Sequence, residues 1–194
     1  MSKLRFGIDI DGTVTCPTSL LPHINKQYNL NLVLDDIKEY DLTKAVNIDP
    51  KQFFDWYKTA ESHIYDMSPP QVYAKNILDQ WKAKFELYYI SARGNNVYDT
   101  TREWFKREAI PYDHIELIGS HHKIEAAREH GVHAFFEDKH DNAVDISEEL
   151  DIPVILFDTP YNRKPIPDGV IRVSNWNEAN DWIKRIFPIK KLSN

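Results

Sequence analysis

A strongly β-prone run, Leu4-Arg5-Phe6-Gly7-Ile8-Asp9-Ile10, ends abruptly in Asp11-Gly12-Thr13. A strand buried on both faces reads as such an unbroken apolar run rather than as strict alternation. In an open parallel sheet, ligands bind beyond the carboxyl ends of the strands, where the loops begin. Asp9 is then free to face a metal and a substrate, while Asp11 sits on the turning loop and Gly12 supplies the backbone freedom for the turn. A carboxylate can attack phosphorus and give an acyl phosphate. A second carboxylate can protonate the leaving oxygen and later activate water. The same residues also suit a solvated turn. A calcium loop needs further acids at fixed spacing and a helix on each side. Here a strand precedes and Val14-Thr15-Cys16-Pro17 follows, so that reading fails.

Outward from this run, short apolar stretches recur at Phe85–Ile90, His114–Ile118, His133–Phe136 and Val154–Phe157. Helical segments at Asn96–Glu108, His122–His130 and Asn142–Leu150 separate them, and Asn175–Phe187 reads as a closing amphipathic helix. Strand alternating with helix predicts an α/β fold, a doubly wound, Rossmann-like parallel sheet covered on both faces. Between Cys16 and Gln80 the rhythm breaks. Pro17, Pro22, Pro50, Pro69 and Pro70 punctuate the stretch, and its periodic parts, Leu20–Tyr28 and Lys51–His63, are helical in pattern. The expected division is a core of residues 1–15 and 81–190 with a small helical cap, 16–80, inserted after the first strand. Pro-rich turns near Cys16–Pro22 and Met67–Pro70 are the expected hinges, and the tail Lys190–Asn194 is expected to fray.

The 194 residues suffice for one well-buried domain with a modest insertion. A net charge of −6 without a long basic block argues against a nucleic-acid polymer as partner. It does not exclude a nucleotide, since a site can be locally positive. The single cysteine, Cys16, forms no intramolecular disulfide. No leader-like apolar region precedes Asp9, and no stretch has the length to cross a membrane, so a cytoplasmic location is expected.

Three later clusters also follow strands. Ser91-Ala92-Arg93-Gly94 offers a hydroxyl, backbone N–H groups and a guanidinium to phosphate oxygens, though an ordinary helix cap has the same composition. Lys123 falls near a helix start, where a cation is disfavoured unless an anion lies beside it; a solvated helix face is the plainer explanation. Glu137-Asp138-Lys139-His140-Asp141 ends another apolar strand, with Asp138 as a candidate magnesium ligand and Glu137 or Asp141 in support. Helix capping by Asp138 or Asp141 is the alternative.

The order nucleophile pair, Ser, Lys, acidic pair resembles the haloacid dehalogenase-like (HAD) phosphohydrolase superfamily over nearly the whole α/β portion, with Asp9 to Thr13 similar to its Asp-x-Asp-x-Thr/Val motif. The resemblance implies catalysis by Asp9 and Asp11 and phosphate binding by Thr13, Ser91, Ala92, Arg93 and Lys123. It also implies an Mg²⁺ site at Asp9, Asp11 and Asp138. Because a dehalogenase lacks the second aspartate, Asp11 favours phosphoryl transfer. The helical insertion looks like a cap of the first type. Its size, with Ile90-Ser91-Ala92-Arg93 and Phe136-Glu137-Asp138, is similar to the 5'(3')-deoxyribonucleotidases of cytosolic type C and their bacterial relatives. A small phosphorylated metabolite, foremost a nucleoside monophosphate, is then the expected substrate. A sugar- or amino-acid-phosphate phosphatase and a non-catalytic binding protein are the alternatives.

The cap aromatics Tyr40, Phe53, Phe54, Trp56, Tyr57 and Tyr65 have the character to stack on a base or sugar. At helical spacing they equally suit the cap's own core. The eight histidines form no His-Glu-x-x-His zinc motif. The dipeptide His140-Asp141 fits a helical metal phosphohydrolase, which the strand pattern contradicts.

Overall fold

The computed structural model describes residues 3–187; the expected fraying of Lys190–Asn194 and the end of the expected core, 188–190, lie outside them. Among these residues the strands are β1 (Leu4–Ile8), β2 (Phe85–Ser91), β3 (His114–Leu117), β4 (Ala134–Glu137), β5 (Val154–Phe157) and β6 (Val170–Val173). The helices are α1 (Leu21–Tyr28), α2 (Leu42–Ala45), α3 (Pro50–Met67), α4 (Ala74–Lys82), α5 (Tyr98–Arg107), α6 (Ile124–Glu129), α7 (His140–Leu150) and α8 (Trp176–Ile186). All strand pairs are parallel, in the order β3-β2-β1-β4-β5-β6. This is the α/β, doubly wound arrangement expected from the sequence. The strand β6 was not expected from it.

Strand alternation divides the core in two. Phe6, Ile8, Leu87 and Tyr89 join Trp81, Trp104, Trp176 and Ile183 on the face covered by α4, α5 and α8. Ile90, Phe135, Val154 and Leu156 join Ala127, Ala143 and Ile146 on the face covered by α6 and α7. Each buried tryptophan satisfies its indole N–H, as burial demands: Trp81 to Asn180 Oδ1 at 2.8 Å, Trp104 to the Ser68 carbonyl at 2.7 Å and Trp176 to the Thr13 carbonyl at 3.0 Å. The last two tie the core to the root of the insertion and to the loop after β1.

The insertion leaves after β1 and returns beside its own start. Thr15 and Pro70 form an antiparallel bridge, Cys16 N donates to the Pro69 carbonyl at 2.8 Å, and Gln71 N donates to the Val14 carbonyl at 2.7 Å. The proline-flanked turns are therefore stitched together rather than separate. Helix α4 begins within the stretch read as insertion but packs on β2 and α8, with Ile77, Leu78 and Trp81 in the sheet's core.

Candidate active site

The order of strands reverses between β1 and β4, and at such a switch point the diverging loops leave a crevice at the carboxyl ends. Asp9 continues β1, its N–H donating to the Phe136 carbonyl of β4 at 2.9 Å. This pairing sets Asp9 beside Glu137, the last residue of β4, and Asp138 just beyond it. The three carboxylates converge, with ligand-competent oxygens within 4.8 Å of one another, and all three residues are buried.

Lys123, at the N-cap of α6, reaches into this group. Its Nζ donates to Asp9 Oδ1 and, at 2.8 Å, to Glu137 Oε2. The anion that its position at a helix start demands is thus supplied twice. Burial works against the lysine's charge, but Asp9 and Glu137 outweigh it and hold the ammonium above its ordinary range. One cation for three carboxylates leaves excess negative charge. Burial pushes the Asp9 carboxyl up to about 7, with Lys123 opposing and Glu137 and Asp11 adding repulsion. Burial and the charges of Glu137 and Asp9 push Asp138 well above the usual carboxylate range.

Asp11 lies one turn outward. Arg93, fully buried beyond β2, donates Nε to Asp11 Oδ2 at 2.9 Å and Nη2 to Oδ1 at 2.7 Å. Its Nη1 donates to Thr101 Oγ1 at 3.0 Å, and its Cζ lies 3.9 Å from the centre of the Tyr65 ring. A guanidinium so engaged is directed at Asp11, and it also lines the cavity beside Ser91 and Ala92. Gly12, at φ +78°, has no room for a side chain: a Cβ would overlap the Asp138 carboxylate.

Ser91, Ala92 and Lys123 line the same cavity as Asp9, Asp11 and Asp138, about 710 Å³ in volume. Four expected residues do not line it: Thr13, Glu137, Asp141 and Trp56. Thr13 is fully buried behind the loop, its carbonyl held by Trp176. Asp141 turns to solvent and pairs with His140 at 2.9 Å and Lys164 at 3.5 Å. Neither Asp138 nor Asp141 caps α7. On the cap side, Tyr40, Phe53, Phe54, Tyr57 and Tyr65 line the cavity, with the hydroxyls of Tyr57 and Tyr65 2.7 Å apart. Trp56 turns away and packs edge-on to Tyr28, ring centres 5.6 Å apart.

Several residues not singled out in the sequence complete the wall. Tyr161 donates its hydroxyl to Asp138 Oδ2 at 2.5 Å, and Asn162 Nδ2 donates to the Asp138 carbonyl at 2.6 Å. Both stand on the loop after β5, where a polar stretch closing an apolar strand was the available signal. Lys139 Nζ lies 4.9 Å above the Tyr40 ring, and His121 meets the same ring edge-on at 5.6 Å. Burial, reinforced by Lys139 and Lys123, lowers the His121 imidazole to about 4.

The sequence profile of the family described as "5' nucleotidase, deoxy (Pyrimidine), cytosolic type C protein" matches residues 4–188. The chain belongs to this family. Within this nucleotidase family, named relatives match it nearly end to end. A Bacillus subtilis protein provisionally named a nucleotidase, YqfW, is 48% identical, covering 93% of each chain. A similarly named protein of Halalkalibacterium halodurans is also 48% identical, covering 92% of each. A nucleotidase of Clostridium acetobutylicum is 28% identical over 96% of this chain and 97% of its own. Among solved structures, a haloacid dehalogenase-like hydrolase of Streptococcus pneumoniae superposes with a TM-score of 0.66 at 12% identity, covering 93% of this chain and 98% of that one. A Bacillus subtilis HAD-hydrolase, YfnB, solved with bound magnesium, gives 0.63 at 10% identity, covering 95% and 100%. These two establish the HAD-like fold.

Proposed function

We propose that the chain is a magnesium-dependent phosphomonoesterase that forms a phospho-aspartate on Asp9 and acts on 5'-(deoxy)nucleoside monophosphates. The observation that carries this reading is the shared lysine at the switch point, with Lys123 bonded to Asp9 and Glu137 while Asp138 adds a third carboxylate. Membership of a nucleotidase family supports the substrate class.

The donor set fits magnesium. Three buried carboxylates converge, two of them bonded to one ammonium, and all offer hard oxygens, the donors Mg²⁺ prefers. Asp9, Asp138 and the backbone carbonyl of Asp11 would hold the ion, with Glu137 supporting through Lys123. When bound, it supplies charge neutralisation for the phosphate and alignment for in-line displacement.

The remaining steps belong to the chain. Ser91 and the backbone N–H groups beside Ala92 hold phosphate oxygens, and Lys123 balances Asp9 and the phosphoryl charge. An Asp9 oxygen attacks phosphorus as the bond to the leaving oxygen breaks, and Asp11 gives its proton to that oxygen. Water, losing a proton to Asp11, then attacks the acyl phosphate and releases inorganic phosphate. Arg93 keeps Asp11 oriented for both transfers.

The cap, expected as 16–80 and taken as 16–73 once α4 is assigned to the core on account of its packing, roofs the site with Phe53, Tyr57 and Tyr65. These flat apolar faces suit a nucleobase or sugar, and 710 Å³ is within the usual range for a small-molecule pocket. A cytoplasmic enzyme accords with this substrate class, and no helix among the described residues is long and apolar enough to cross a membrane. The test is phosphate release with magnesium across deoxynucleotide, ribonucleotide and sugar phosphates. Preference for nucleoside monophosphates is expected. Preference for sugar or amino-acid phosphates would keep the mechanism and reject the substrate.

A further inference from the structure

On the sheet edge remote from the cavity, His114 and Glu116 stand two residues apart on β3 and so project from the same face. The C-cap of α6 brings His130 to them. His130 Nε2 lies 2.6 Å from Glu116 Oε2, and His114 Nε2 lies 3.9 Å from the same oxygen. One donor atom from each of the three falls within 4.8 Å of the others, and none of the three lines the active-site cavity. We propose that His114, Glu116 and His130 form a second metal site, for a divalent transition ion of the zinc class, which fastens the edge strand β3 to the end of α6.

The donor chemistry selects the ion. Two imidazoles and one carboxylate are the set that zinc accepts with a fourth position open to water, whereas magnesium prefers oxygen alone. Bonds of about 2.0–2.2 Å in a tetrahedron put donor atoms about 3.3 Å apart. The separations of 2.6 and 3.9 Å bracket that value, so small rotations of the side chains suffice.

A His130–Glu116 ion pair alone leaves the third group unexplained. The His114 and His130 rings lie 4.6 Å apart, close enough for one ion to reach both. A single divalent ion uses both neutral rings and the carboxylate together. The support is rigid, as a precise site requires. The Tyr88 ring backs both imidazoles at 5.5 and 5.0 Å, and β3 is paired along its length to β2. Arg5, which reaches the His130 carbonyl at 2.9 Å, is bonded to Glu86 at 2.9 Å, so its charge is already countered. The end of α6 also presents the carbonyl pole of a helix, which favours a cation. With strand and helix end joined, zinc would stabilise the folded chain by mass action.

The test uses the full chain stripped of metal, with zinc chloride as probe and magnesium in large excess to occupy the catalytic carboxylates. Bound zinc is counted after desalting, and the zinc-induced rise in melting temperature is recorded. Wild type is expected to hold one zinc and to gain melting temperature. His114→Ala and Glu116→Gln should each weaken zinc binding by at least about tenfold, the cost that even outer-shell changes at metal sites carry. Both variants should keep wild-type turnover with magnesium. His114 is partly exposed, so its replacement leaves the fold intact and the comparison valid. Cobalt substitution gives an independent readout, an intense visible band from a four-coordinate site that His114→Ala abolishes. Equal zinc content and equal melting shifts in wild type and both variants would overturn the proposal. So would zinc binding that disappears in Asp138→Asn but persists in His114→Ala.

Discussion

The guanidinium of Arg93 grips both oxygens of Asp11, at 2.9 and 2.7 Å, while its face lies against Tyr65. A fork of this kind fixes direction as well as charge. In the proposed reaction Asp11 delivers a proton to the leaving oxygen, so its orientation would set how well that transfer works. The contact also joins the catalytic loop to the cap, because Tyr65 belongs to α3. On that proposal Arg93 is a positioning residue for Asp11.

A difference between leaving groups tests this. Nitrophenolate departs without a proton, whereas the alcohol of a nucleoside needs one. Arg93→Lys and Arg93→Ala should lower kcat on a nucleoside monophosphate by about ten- to a hundredfold more than on p-nitrophenyl phosphate, a part of the roughly 10²–10⁴-fold that general acid catalysis supplies. A phosphate clamp would instead raise KM alike for both substrates.

Lys123 is the sole ammonium bonded to two buried carboxylates among the described residues. Lys123→Met leaves Asp9 and Glu137 facing each other without a counter-charge. Breaking one side of a buried ion pair costs about 3–5 kcal/mol. Urea unfolding near neutral pH in a chelator should show a loss of that order, partly restored by magnesium. An unchanged midpoint would mean that the lysine carries no such charge burden.

His121 titrates in the opposite sense to an ion-paired histidine. Its folded value falls from 6.5 to about 4, so the fold binds fewer protons there than the unfolded chain does. The stability it contributes is complete above the unfolded value and is lost as pH drops through that value toward about 4. Proton NMR should find its imidazole still neutral at pH 5, and His121→Asn should flatten the acid-side loss relative to wild type. A titration midpoint near 6.5 would contradict the lowering by desolvation and by Lys139 and Lys123.

Gly12→Ala introduces a methyl group at φ +78° against the Asp138 carboxylate. The strained backbone and the collision both fall on the loop that carries Asp11. Turnover should drop by at least about a hundredfold, a loss that a misplacement of 1 Å in a catalytic group can cause. Circular dichroism should report an intact fold. Near-normal turnover would mean that the loop has slack.

The site's position was legible where an apolar run gives way to polar residues, since a buried strand must end there. Asp9, Asp11, Ser91, Lys123 and Asp138 were all found in that way, and all line the cavity. The same signal was present at Asp158–Asn162 after β5 and would have led to Tyr161. Long-range choices were not legible. The aim of Arg93 depends on Thr101 in α5 and on Tyr65 in the cap. With aromatics at 53, 54, 56 and 57, spacing alone could not say which side of α3 faces the cavity, so Trp56 and Tyr57 looked equivalent. Strand β6 has only four residues, and its Arg172 masks the apolar pattern while bonding to Asn162 at 2.6 Å. Helix α4 has an apolar face that suits either body; only packing assigns it to the sheet.

The central claim is that Asp9 is the phosphorylated nucleophile. The most direct measurement is acid-quenched mass spectrometry of the magnesium-loaded protein during turnover of a deoxynucleoside monophosphate, beside phosphate release from Asp9→Asn. The account predicts a phosphoryl group on the peptide containing Asp9 in wild type, and neither label nor phosphate release in the folded variant. Undiminished phosphate release from Asp9→Asn would contradict it.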